Sequence, residues 1–416
     1  MTRNPDMTRN PGWRSYEVYQ RMRVGESTAR IKPRQLSSDD YLTDPYPLLA
    51  ILREEYPCYR DWPGNCFWIT RYDDVTSVFV DDANYETRPR LWSYARVGFG
   101  NDLGASIPVQ QAFADAYDRD AAPVADSLIA ELAPGSDLAT ELCARYPLEL
   151  LVRALDLPAE GVGPFIERYL VVHRGTGFEP TARARGIEAM DALVVQFEPL
   201  MGRGGADVLS TIHSLGGSAR DAVVTLLEGD HQTLHGGLAN MWCLLLTHSS
   251  QLAVVCDQPR LLRFAWLETL RHSTPVVSAD RFAKHEVERF SRLLPEGALL
   301  RCSSAAANRD QSVFDEPDAF VVERKDLCQR EPRGMYRADG LPSGISFGTG
   351  APSTHPAVPE DRPRSRYAIT RDLAITASRA LLDAHPMIHL ADGAAPALRS
   401  LRWGEMHTCW SLPVVW

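Results

Sequence analysis

No apolar run in this 416-residue chain approaches the roughly 20 residues that cross a bilayer. The opening stretch MTRNPDMTRNPGW lacks the apolar core of a secretion signal. It repeats Met-Thr-Arg-Asn-Pro from Met1 and again from Met7, and residues 1–36 read as a disordered extension ahead of a single domain over 37–416. The eight cysteines stand singly (Cys58, Cys66, Cys143, Cys243, Cys256, Cys302, Cys328 and Cys409), and no C-x-x-C occurs, which argues against a zinc ribbon or a redox pair. With no export signal they read as reduced, mostly buried thiols of a cytoplasmic protein. Positive charge is in deficit as well. A formal net charge of −10 speaks against a general nucleic-acid or anionic-membrane partner.

What is present is ordinary for a globular chain, 44% hydrophobic and 24% charged. Helical spacing begins in DPYPLLAILREEYP from Asp44, followed by a short β-rich run, CFWITRY, and a further helix in DDVTSVFVDD. Residues 109–157 keep a helical period. The longest helical candidate spans 221–255, is apolar at both ends, and is predicted to run through the core. A helix follows near 261–272. The period then shifts toward two in VVSADRFA and EVERFSRLLPEGALLRCSS, before a last helix near 370–384 and a β-like tail. The pattern predicts a mainly α fold with a minor β region.

Four motifs then fall in order. ETLR places Glu268 and Arg271 one helical turn apart, AANRD follows from Ala306, FVVER puts Arg324 four residues after Phe320, and FGTG begins at Phe347. Together they resemble the cytochrome P450 superfamily, and the likeness extends over nearly everything after about Ser37. It implies the cytochrome P450 fold, with Glu268, Arg271 and Arg324 as a structural ion cluster. A carboxylate gripped by guanidinium forks ties a helix to an irregular loop.

The same resemblance exposes three departures. The family loop FGxGxHxCxG supplies a cysteine thiolate to haem iron, and such a ligand favours O–O cleavage. Counting from Phe347, that position holds Thr354, and His355 follows it. Any haem would therefore not be thiolate-ligated, and His355 is the candidate imidazole ligand, or else an idle loop histidine. The family's propionate clamp finds only Trp92 and Arg96, in WSYAR, together with Arg281. The central-helix motif (A/G)Gx(D/E)T, which passes protons to bound oxygen in the family, is rewritten as EGDHQT, with His231 at the acid position and Gln232 at the threonine position.

Glu228, Asp230, His231, Gln232 and His235 are thus the candidate catalytic group. His231 and His235 lie one turn apart. Glu228, His231 and His235 also have the Glu-x-x-His spacing of carboxylate-bridged metal proteins, so a non-haem metal is a further candidate. The alternative is a polar patch satisfied by structural partners. Arg330, Arg333, Arg337, Arg362, Arg364 and Arg366 form a basic cluster from 330 to 366, which the resemblance implies should lie on the face where the family docks acidic electron carriers. They read as a ferredoxin-like or enzyme-partner surface, a grip for an anionic substrate, or a solvated face. Three functions follow: a small-molecule enzyme of specialised metabolism with non-standard acid–base or metal chemistry, a haem oxidoreductase with a non-cysteine ligand, or a haem-free accessory protein that activates a partner such as a glycosyltransferase.

Overall fold

The computed structural model describes residues 30–32, 34–86, 94–95, 97–100, 103–174, 180–227, 231–329, 337–338, 340–346, 364–401 and 406–416. Its helices in chain order are α1 (Asp39–Thr43), α2 (Tyr46–Glu55), α3 (Tyr72–Phe79), α4 (Ile107–Ala130), α5 (Arg145–Ala154), α6 (Ala159–Arg174), α7 (Pro180–Phe197), α8 (Val208–Ser214), α9 (Ala219–Leu227), α10 (His231–Thr247), α11 (Ser249–Asp257), α12 (Leu262–His272), α13 (Ser304–Ala307) and α14 (Arg366–Ala384). One sheet has five strands, β1 (Cys58–Asp61), β2 (Cys66–Ile69), β3 (Tyr85–Glu86), β4 (Ala279–Ala283) and β7 (Leu299–Cys302), in the order β1-β2-β7-β4-β3. Only the β2–β7 pair is parallel, with Cys66 opposite Leu299. Two-stranded ribbons complete the set: β5 (Val287–Arg289) with β6 (Arg292–Leu294), β8 (Arg337–Ala338) with β9 (Leu341–Pro342), β10 (His389–Leu390) with β13 (Val414–Val415), and β11 (Leu398–Ser400) with β12 (His407–Cys409). The fold is mainly α with a minor β region, as the periodicity predicts.

Buried apolar side chains fall into clusters. One joins α10, α12 and α14 through residues such as Leu238, Trp242, Trp266 and Leu381. A second joins α6, α7 and α9 through Phe165, Tyr169, Phe197 and Leu226. A third sits between α2 and the sheet and takes in Ile31 and Leu36, so packing begins ahead of Ser37. Residues 1–29, most of the stretch read as an extension, lie outside the described residues.

The apolar run at 221–255 is not one helix. Residues 228–230 lie outside the described residues, and α10 ends at Thr247, with α11 beginning as a separate helix at Ser249. His248 leaves the helical region (φ −117°, ψ 77°), and its ring nitrogen Nδ1 donates to the Leu244 carbonyl at 2.8 Å. Thr247 adds a hydroxyl bond to the Cys243 carbonyl at 2.7 Å. Both side chains bond carbonyls of the last turn, where the His248 amide also reaches Leu244 at 2.9 Å. The 109–157 pattern is likewise divided. After α4 the chain turns through Gly135 (φ 96°) and resumes as a π-helical turn, Ala139–Cys143, leading to α5.

Helix α10 is held as closely as a buried helix can be. Its glycines admit neighbours that no side chain would tolerate: a Cβ on Gly237 would lie 2.4 Å from the Trp266 ring, and one on Gly236 would lie 2.5 Å from Pro275. Asn240, fully buried, donates to the carbonyls of Ser273 (2.8 Å) and His407 (3.0 Å) and accepts from the Cys409 amide (3.0 Å). Trp242 donates to Ser378 of α14 at 3.2 Å. Replacing Gly237 with Ala is expected to lower stability by about 1–3 kcal/mol through overpacking against Trp266. Urea unfolding at unchanged m-value measures this. A gain from the higher helix propensity of Ala would show that the ring gives way.

Candidate functional site

Glu268 and Arg271 stand on one face of α12, both with no exposed side-chain surface. Arg271 grips the carboxylate with two donors, Nε to Oε2 and Nη2 to Oε1, each at 2.7 Å. Its remaining donors reach the carbonyls of Asn308 (3.1 Å), Pro317 (2.7 Å) and Ala319 (2.9 Å). The Val321 amide donates to Glu268 Oε1 at 3.1 Å, and Arg324 Nη1 lies 3.6 Å from the same oxygen while its Nε bonds to Asp326 at 2.8 Å. Asn308 extends the knot by exchanging two bonds of 2.7 Å with the Ile345 backbone. The structure brings the three charged residues of the motif to one point. It joins α12 to the irregular stretch 308–328 and to the chain just before residue 347.

On α10, the His231 ring nitrogen Nδ1 lies 2.7 Å from the Tyr169 hydroxyl of α6. The His231 ring meets Tyr169 and His173 edge-on, with centroids 4.9 and 4.5 Å away. Tyr169 and His173, one turn apart on α6, are themselves 4.5 Å from centroid to centroid. His173 Nε2 stands 3.2 Å from the Leu226 carbonyl of α9. A carbonyl only accepts, so this nitrogen carries a proton.

His235 keeps different company. Its ring meets Trp410 edge-on at 5.9 Å, and burial pushes its pKa down to about 4. The two central-helix histidines therefore have separate neighbours, where the spacing alone suggested one shared site. Gln232 is partly exposed on the same helix, and Glu228 and Asp230 lie outside the described residues. Among the described residues, no group of three His, Cys, Asp or Glu side chains is arranged to hold a metal ion. Sequence reading missed Tyr169, His173 and Trp410. The Tyr-x-x-x-His spacing in ERYLVVHR signals one helix face, but not what that face meets.

Of the residues read against a haem, Trp92, Arg96, Thr354 and His355 lie outside the described residues. Arg281 on β4 is fully buried, with its guanidinium 4.5 Å above the Phe79 ring and Nη1 donating to the Asp280 carbonyl at 2.9 Å. In the basic cluster, Arg330, Arg333 and Arg362 lie outside the described residues, and Arg366 opens α14. The β8 ribbon carries Arg337. Arg364 pairs with Asp118 of α4 and with Asp372 of α14, the latter at 2.8 Å. These three line a cavity of about 340 Å³ with Ala121, Leu373 and Thr376.

A helical body on a small sheet, with helix α12 clamped by a buried Glu-x-x-Arg to a long irregular loop, is the cytochrome P450 architecture. No family model matches the chain. It is 25% identical over 366 residues to the putative cytochrome P450 123 of Mycobacterium tuberculosis, covering 79% of this chain and 86% of the relative. It is 26% identical over 331 residues to the nocardicin C N-oxygenase of Nocardia uniformis, covering 69% and 81%. Among solved structures it matches ligand-free cytochrome P450 TbtJ1 with a TM-score of 0.72 at 19% identity, over 90% of this chain and 98% of that one. The chain belongs to the cytochrome P450 superfamily.

Two outcomes follow for stability. Glu268→Ala strands the Arg271 charge in the interior and is expected to cost about 3–5 kcal/mol in urea unfolding. His235 and His407 are both pushed by burial down to about 4. An unfolded histidine titrates near 6.5, so the unfolded chain binds more protons below that pH. The stability that the two contribute is whole above about pH 6.5 and is lost as pH falls toward about 4. Urea midpoints across that window should drop in wild type and drop less steeply in His235→Gln.

Proposed function

We propose that the protein is a cytochrome P450-fold enzyme of specialised metabolism that works on a small organic substrate without a thiolate-ligated haem. The observation that carries this is the donor set. The family's ligand position is Thr354, and no cysteine occurs between Cys328 and Cys409. A threonine hydroxyl is neither soft nor anionic at neutral pH, whereas a haem thiolate is both. The flanking cysteines both lie outside the loop in sequence, and Cys409 turns its Sγ to the Ser411 carbonyl at 3.2 Å beside α10. A threonine at this position does not fit a thiolate haem.

In its place the central helix offers acid–base chemistry. His231 stands where the family carries its acid and is bonded to a phenol at 2.7 Å. Imidazole is the side chain best suited to move or hold a proton near neutral pH. Glu228, Asp230, Gln232 and His235 are its supporting candidates. The arginine-bearing face around Arg364 is the proposed docking side for a protein partner. Among the described residues no single helix is long and apolar enough to cross a membrane, and we assign the protein to the cytoplasm.

The test is the visible spectrum of the purified, reduced, carbonylated protein, with metal analysis. A sample without a Soret band supports the reading. The far-red Soret band of a thiolate haem overturns it. A Soret band at the shorter wavelength of histidine ligation leaves the thiolate absent and overturns the acid–base chemistry in favour of a haem held by His355.

A further inference from the structure

The eight cysteines stand singly in sequence, and packing pairs two of them. Gly236, Asn240 and Cys243 recur at i, i+4 and i+7 along α10 and so share one face. Strand β12 runs against that face. The Thr408 hydroxyl donates to the Gly236 carbonyl at 3.2 Å, and Asn240 bonds the His407 carbonyl and the Cys409 amide, each at 3.0 Å. One turn beyond Asn240, the Cys243 and Cys409 side chains are joined by a hydrogen bond. The chain leaving Cys409 is fixed as well, because Asp137 accepts from the Ser411 hydroxyl (2.6 Å) and the Leu412 amide (2.8 Å).

We propose that Cys243 and Cys409 are a peroxide-sensitive thiol pair, which hydrogen peroxide joins into a disulfide that fastens α10 to β12. The inference does not depend on how the central-helix histidines are used.

The thiolate is the reacting form of cysteine, so the order of events follows from which thiol ionises first. The hydrogen bond from Cys243 holds the Cys409 pKa below its ordinary value, while giving that bond, together with burial, pushes Cys243 up. Cys143, on the π-helical turn that packs on α10, is pushed up mainly by burial. Cys409 is therefore the attacking sulfur. Its thiolate takes one oxygen of the peroxide, the O–O bond breaks, and the released hydroxide leaves as water with the proton of the Cys409 thiol. The Cys243 sulfur then attacks the resulting sulfenic sulfur, the S–O bond breaks, and the hydroxyl leaves with the Cys243 proton as a second water. Two thiols are oxidised to one disulfide and one peroxide is reduced to two waters. Both thiols are buried, so the reaction waits on local opening of the β11–β12 ribbon and runs more slowly than oxidation of the exposed Cys256.

The test treats the full chain with hydrogen peroxide, once in native buffer and once in urea, followed by alkylation, digestion and mass spectrometry. The native sample is expected to yield a Cys243–Cys409 linked peptide, lost on adding dithiothreitol and several-fold richer than in urea, where pairing among the cysteines is not directed by the fold. Native oxidised protein is expected to unfold at a higher urea midpoint than reduced protein, since a cross-link constrains the unfolded chain. Cys143→Ala is expected to keep the link. Cys243→Ala is expected to abolish it, to remove the midpoint shift, and to leave Cys409 as a sulfenic acid that dimedone traps.

Absence of the link in native protein whose Cys256 is already oxidised overturns the proposal. So does a native link between Cys143 and Cys409, or a Cys243–Cys409 yield no higher in native buffer than in urea. These last comparisons use the unaltered chain, so they stand even where a core substitution prevents folding.

Discussion

The bidentate grip of Arg271 on Glu268 is the constraint on which the rest of the structure depends. Both side chains are shut off from water, where an uncompensated charge costs several kcal/mol. The chain meets that cost by spending the other guanidinium donors on three carbonyls of the irregular stretch 308–319. A loop with no regular backbone pairing of its own thereby gains fixed partners. The position of the segment entering residue 347 follows from it through Asn308 and Ile345. A cofactor loop and its surroundings could change while this knot was kept, because the knot serves the fold and not the cofactor.

The second frame is α10. Two adjacent glycines bring Trp266 and Pro275 against the helix backbone, and a buried amide binds it to the C-terminal strand β12. This fixes the helix on the side of α12 and α14. Its first turn faces elsewhere, toward α6, and that is where the polar residues collect. Polar side chains are costly within the packed length of the helix, and at its start the Tyr169 hydroxyl supplies His231 with a partner.

Much of this was legible in the sequence because it is local. Glu268 and Arg271 are three residues apart, so helical geometry alone puts them side by side. The apolar period placed most of the helices. Other features were not legible because they depend on packing between distant segments. Tyr169 and His231 are 62 residues apart, and nothing in either neighbourhood names the other. The break at His248 was hidden by an apolar run that continues on both sides of it. His231 and His235 share a spacing but not an environment, since what a helix face meets is decided by its neighbours.

Asn240 has one more implication. The three bonds that fasten α10 to β12 and to Ser273 are made by an uncharged amide, so the attachment is indifferent to ionic strength and to acidity. Helix α10 is thus fastened to its neighbours by groups that carry no charge of their own. A shift in the behaviour of His231 therefore reports the chemistry of its own ring and immediate contacts, rather than a sliding of the helix that bears it.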